Sequence, residues 1–131
     1  MNREPDAIRP THVEVNLDTI AQNFDAIRAH VGTAEVMPVV KANAYGHGLV
    51  EVARHLAAHG ARCFGVALLE EAVVLRQAGI TAPILVFGGV ATRQIPQFIA
   101  HDLMMSASSI DKLRQIDEAA AAARTKARVH L

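Results

Sequence analysis

Several residue types are scarce in this 131-residue chain, and each scarcity excludes something: it has no tryptophan, one tyrosine, one cysteine and five prolines. The lone Cys63 rules out an internal disulfide and a cysteine-rich zinc site, and it suits a reducing compartment. Neither sign of charge is in excess, since 13 Lys plus Arg face 13 Asp plus Glu. A basic nucleic-acid face or a polybasic membrane patch is therefore not expected. No apolar run approaches the roughly 18 residues needed to span a bilayer. The opening MNREPDAIRP lacks the apolar stretch of a signal peptide. These features predict a soluble, cytoplasmic protein with neither nucleic acid nor membrane among its partners.

What is present is enough for a core. Hydrophobic residues make up 51% of the chain and charged residues 20%, a balance typical of one folded domain. Six short apolar runs read as strands: Val13 to Leu17, Val36 to Val40, Cys63 to Ala67, Ile84 to Phe87, Leu103 to Ser106 and Ala127 to Leu131. Helix-period segments lie between them. Asp18 reads as the cap of a first helix with apolar positions Ile20, Phe24, Ile27 and Val31. Leu49, Val52, Ala53 and Leu56 form the stripe of a second helix that stops at Gly60. Glu70 and Glu71 open a third that Gly79 closes, Pro96 permits a fourth starting near residue 95, and Ser108 with Asp111 resembles a capping box before a fifth.

From Val36 onward, strands alternate with helices, which implies parallel pairing and right-handed crossovers. The fold expected is α/β: the N-terminal half of a (β/α)8 TIM-type barrel, preceded by one extra strand. A complete barrel repeats the unit eight times over about 250 residues, and four units are visible here. The organisation expected is a tail over residues 1–12 and a partial barrel over 13–131 that stops before the later strands. Half a barrel leaves two unpaired edges, so residues 1–131 expressed alone are expected to be poorly soluble.

The chemistry concentrates in PVVKANAYGHG, residues 38–48. An apolar strand ends on Lys41, at the face where such barrels place their active sites. A partly desolvated lysine amine can attack a carbonyl, including that of pyridoxal phosphate. Ala42, Ala44, Gly46 and Gly48 keep the next loop small, Tyr45 offers a hydroxyl suited to a phosphate oxygen, and the helix from Leu49 presents an N-terminus that favours anions. The residue types suggest Schiff-base formation beside a phosphate; the alternative is a rim charge with no chemical role.

The run VVKANAYGHG resembles the pyridoxal-phosphate lysine motif of alanine racemases. VEVNLDTIAQNFDAIR resembles that family's opening strand and helix, and FGVALLEEAVVLRQAGITAPILVFGG its second and third units. The likeness extends over nearly all of residues 13–131. It implies a pyridoxal 5'-phosphate Schiff base on Lys41, which also serves as the base on the D-enantiomer side, and interconversion of L- and D-alanine as a supply for cell-wall peptidoglycan. Tyr45 is implied to bind the cofactor phosphate, and Val39 and Phe87 to lie against the cofactor, although leucine is commoner at the latter position. In the family the second base is a tyrosine from the partner subunit's C-terminal β domain, which implies a homodimer. This chain's one tyrosine is already assigned, so the 131 residues are expected to be a partial racemase, inactive alone. The rival readings are a non-catalytic pyridoxal-phosphate barrel, a broader amino-acid racemase and a Schiff-base aldolase.

Other motifs have plainer readings. His55 and His59 have the spacing of a zinc pair but no third ligand is evident, so no metal site is expected and both read as surface histidines. His47 reads as a loop hydrogen-bonder, Gly88-Gly89 as the end of a strand, Cys63 as a small apolar residue, and Glu70-Glu71 as a solvated helix start.

Overall fold

The computed structural model describes residues 11–131. In chain order the elements are α1 (Leu17–Val31), a left-handed turn (Lys41–Tyr45), α2 (Leu49–Ala58), β1 (Phe64–Val66), α3 (Leu69–Gln77), β2 (Ile84–Gly89), α4 (Ile95–Ala100), β3 (Met104–Ser106), α5 (Ile110–Ala122) and β4 (Val129–His130). The strands form one sheet in the order β1-β2-β3-β4, every pairing parallel. A helix crosses between each strand and the next, which is the half-barrel order that the alternating pattern predicts.

Strand register separates two faces. Phe64 pairs with Ile84, Val66 with Val86, Val86 with Met105, and Met105 with Val129. Of these, all but Val129 are buried, packed with Leu56, Leu75, Ile95 and Phe98. Full burial of each large side chain contributes about 1.5–3 kcal/mol, and this layer is the core. The opposite face carries Gly65, Leu85 and Met104, then Ser106 beside His130. The parallel order puts the C-terminal ends of all four strands on one rim.

Capping explains most helix starts. Asn16, not Asp18, caps α1: its Oδ1 accepts from the Thr19 N–H at 2.9 Å, leaving Asp18 in the first turn. Ser109 rather than Ser108 caps α5, its Oγ accepting from the Lys112 N–H. The stripe of α2 is buried as expected, whereas on α1 only Ala21 and Phe24 are, and Ile27 and Val31 are exposed.

Two strand expectations fail. No strand forms over 13–17: residues 11–16 carry no regular structure and Leu17 already opens α1. An extended run becomes a strand only with a neighbour to pair, and none lies beside it among the described residues. The run Val36 to Val40 shrinks to a single parallel bridge between Val39 and Gly65. Val40 N–H donates to the Gly65 carbonyl at 2.8 Å, and Gly65 N–H to that of Pro38 at 2.9 Å. Pro38 has no N–H to offer, which suits an edge and not a central strand. The tail expected over 1–12 lies outside the described residues as far as residue 10. Among the described residues no helix is long and apolar enough to cross a membrane.

On the opposite rim, Arg76 joins the two loops that enter β2 and β3. Its guanidinium donates to the carbonyls of Ile80 (2.6 Å), Ala82 (2.7 Å), His101 (2.9 Å) and Asp102 (3.0 Å). Burial pushes its pKa below the ordinary arginine value, with the Asp102 carboxylate opposing that shift. Lysine has no planar fork to span those four acceptors. Arg76→Lys is therefore expected to destabilise the full-length gene product by about 1–3 kcal/mol, read as a lower denaturant midpoint at unchanged slope.

Candidate active site

The stretch after Val40 does not continue as strand. Ala42, Asn43, Ala44 and Tyr45 take φ of 53°, 56°, 52° and 55°, one turn of left-handed helix built from residues other than glycine. Side chains crowd the backbone there, so the turn needs outside support. Ala44 N–H donates to the Val40 carbonyl at 2.8 Å, Gly46 N–H to that of Ala42 at 3.1 Å, and Gly48 N–H to that of Asn43 at 3.0 Å. The Asn43 side chain accepts from the Leu49 N–H at 2.8 Å, so it caps α2 from six residues upstream. The anion-seeking N-terminus expected at Leu49 is thus partly satisfied from within the chain. His47 Nδ1 lies 2.8 Å from the Ala44 carbonyl, the loop role read from sequence. Ala44 is buried in the core and anchors the turn.

This turn separates the two polar site candidates. Lys41 is half-buried where the edge segment ends, and Tyr45 is 60% exposed. Neither Nζ nor the phenol makes a hydrogen bond or ion pair among the described residues. Val39 and Phe87, the apolar candidates, are 37% and 43% exposed. Both lie against Gly65: Val39 is its bridge partner, and a Cβ built on Gly65 would stand 2.5 Å from Phe87 Cζ and 3.3 Å from Met37 Sδ. The Phe87 ring therefore lies across a glycine that leaves it room.

A bulge sets that ring. Val86 pairs with Met105, but Gly89 pairs with Ser106, so Phe87 and Gly88 are extra residues on β2. Gly88 N–H donates to the Ala67 carbonyl at 3.1 Å, and any side chain on Gly88 would collide with that carbonyl. The glycine pair ends β2, as read from sequence, and it also permits a bulge at the rim, where bulges re-aim side chains.

Val39 and Tyr45, with Ile20, Phe24 and Val52, line a cleft of about 410 Å3 between α1 and the edge segment. Lys41 and Phe87 do not line it. The structure thus brings Val39 to Phe87 through Gly65, and Val39 to Tyr45 through the cleft, while Lys41 shares the turn with Tyr45.

Two residues, Glu71 and His55, differ from their sequence reading. Glu71 is half-buried, and its carboxylate accepts from the N–H groups of Ala42 (2.6 Å), Ala67 (2.9 Å) and Leu68 (3.0 Å). Its bond to the Leu68 N–H is the glutamate half of a capping box, but Leu68 lacks the hydroxyl that would signal one, and the reach to Ala42 has no sequence signature. His55 is half-buried, its ring 4.3 Å from that of His59 and its Nε2 3.2 Å from Asp18 Oδ1. Cys63 precedes β1, and its thiol pKa is raised by burial and then by the Glu35 charge, with Arg62 opposing. That is the environment of an inert thiol, not a nucleophile.

Comparison with known proteins gives one family. Residues 15–131 match the model described as alanine racemase, N-terminal domain. The chain is similar to alanine racemase 2 of Bacillus subtilis, 46% identical over 111 residues that cover 84% of this chain and 28% of that protein. It superposes on alanine racemase of Clostridium difficile 630 in complex with cycloserine with a TM-score of 0.89 and 35% identity, covering 96% of this chain and 35% of the other. It also superposes on histidine racemase from Leuconostoc mesenteroides, with a TM-score of 0.80, 30% identity and coverage of 86% and 30%. The chain spans about a third of the length of the relatives it matches.

The glycine under Phe87 supplies a test. Gly65→Ala is expected to force that ring off its seat and cost about 1–3 kcal/mol by overpacking. Chemical denaturation of the full-length product reads the loss, and an unchanged midpoint would show that the ring moves freely.

Proposed function

The chain belongs to the alanine racemase family through its N-terminal domain, and on that premise we propose that it supplies the cofactor-holding part of a pyridoxal-phosphate-dependent amino-acid racemase. One observation carries the reading: a half-buried amine and an exposed phenol stand on a single turn, both unpartnered among the described residues, beside exposed apolar side chains. That set fits a flat aromatic aldehyde bearing a phosphate. Lys41 would hold the aldehyde carbon through Nζ, Tyr45 would donate to a phosphate oxygen, and Val39 and Phe87 would pack against the ring.

When bound, pyridoxal phosphate draws electron density from the amino-acid Cα and acidifies its proton. The residues of this chain then do two things. Lys41 would accept the Cα proton through Nζ on one face and return it. Tyr45 and the apolar pair keep the cofactor from turning, so that the face Lys41 serves stays constant. Inversion also needs a base on the opposite face. The resemblance to alanine racemases implies a tyrosine of a partner subunit in that role, so we assign the base to a homodimer's second subunit.

Alanine is the proposed substrate, with D-alanine as one product, because the curated relatives carry that name. They are racemases, which disfavours a non-catalytic cofactor carrier. The likeness to a histidine racemase favours a second reading, a broader amino-acid range on the same N-terminal domain. Assaying L-alanine and L-histidine side by side distinguishes the two.

Reducing the cofactor-loaded full-length product with borohydride and mapping its peptides is expected to place one pyridoxyl group on Lys41. Lys41→Ala should abolish it and lower racemisation by at least about 10³-fold, as loss of a proton-transfer base does. A pyridoxyl group on Lys112 or Lys126, or an active Lys41→Ala variant, would overturn the assignment.

A further inference from the structure

Glu71 joins two separate pieces of the rim, the left-handed turn and the segment just past β1. Its Oε1 accepts from Ala42 N–H, the first amide of the left-handed turn, at 2.6 Å. Its Oε2 accepts from Ala67 N–H and Leu68 N–H, just past β1, at 2.9 and 3.0 Å. No salt bridge among the described residues involves Glu71, so backbone amides alone satisfy its charge. Bonds to an ionised acceptor are about twice as strong as neutral ones, and the α3 N-terminus adds a favourable dipole. Neighbouring Glu70 is exposed and makes none of these contacts.

Ala42 needs such a hold. It opens four consecutive residues other than glycine at positive φ, with Lys41 directly before it and Tyr45 closing the run. If its N–H were released, the turn could relax toward the right-handed basin, swinging the phenol relative to the amine. We propose that Glu71 is a positioning residue of the racemase site: by tying Ala42 to the β1–α3 junction, it keeps the turn left-handed and holds Lys41 and Tyr45 at the spacing that the cofactor needs. The inference rests on the reading of Lys41 and Tyr45 as the cofactor-holding pair.

The experiment uses the full-length product as wild type, Glu71→Gln, Glu70→Gln and the double variant Glu71→Gln/Ala42→Gly. Glutamine keeps the shape and one acceptor oxygen, so it can serve one side of the junction but not both. Three readouts are taken: amide hydrogen exchange of residues 42–45 without cofactor, the pyridoxal phosphate concentration that half-saturates borohydride-fixed labelling, and the thermal midpoint. Glu71→Gln is expected to speed exchange at Ala42 and to raise the half-saturating concentration about ten- to a hundredfold, the range for charge-assisted bonds. Glu70→Gln should match wild type. Glycine adopts positive φ without strain, so the double variant should recover much of the lost affinity.

Unchanged exchange and half-saturation in Glu71→Gln would overturn the proposal, as would a double variant no better than the single one. If Glu71→Gln does not fold, the proposal predicts that Ala42→Gly restores folding together with labelling, and failure to do so counts against it. Wild-type protein that takes no label on Lys41 would sink the functional reading instead, while the exchange data would still report on the turn.

Discussion

Four consecutive L-amino acids from Ala42 to Tyr45 hold φ between 52° and 56°, a conformation that costs about 1–2 kcal/mol for each residue. The rest of the site depends on how that turn is kept. Continued strand after Val40 would carry Tyr45 beyond the rim. The left-handed turn instead reverses the chain within one turn's length, so that a lysine and a tyrosine four residues apart stand at the same end of the sheet. Its support is spread over Val40, Asn43, Ala44 and Glu71, which means that core packing, a helix cap and a carboxylate share the load.

The sheet supplies the other half of the arrangement through what it leaves out. Gly65 has no side chain, and Phe87 occupies the space; Gly88 has none, and the Ala67 carbonyl approaches it. These two absences let β2 bulge at its end and present an aromatic ring beside Val39. The opposite rim is bound by Arg76, whose four carbonyl partners close the loops entering β2 and β3. The Arg76 cluster and the proposed site thus lie at opposite ends of the same strands, the division of labour expected of such barrels.

Much of this was legible in the sequence, for identifiable reasons. The parallel α/β order follows from continuous apolar runs separated by helix-period segments, and α2 was read from a single stripe whose four positions are all buried. Lys41 at a strand end followed from one motif. What escaped depends on partners distant in sequence. The strand over 13–17 needs a neighbour, which no local pattern supplies. The edge at 38–40 is limited by a proline whose missing N–H matters only once its sheet position is known. Glu71 looked like a solvated helix start, because its acceptor role toward Ala42 spans 29 residues. The handedness of the turn itself is invisible in the letters Ala-Asn-Ala-Tyr, only one of which tolerates positive φ well.

The central claim is that this left-handed turn presents Lys41 and Tyr45 to one cofactor molecule. A crystal structure of the full-length gene product loaded with pyridoxal phosphate tests it most directly. The account predicts density continuous from Lys41 Nζ into the cofactor, the Tyr45 hydroxyl on a phosphate oxygen, and residues 42–45 still at positive φ. A cofactor bound through another lysine, or a turn relaxed to right-handed helix beneath an intact site, would contradict it.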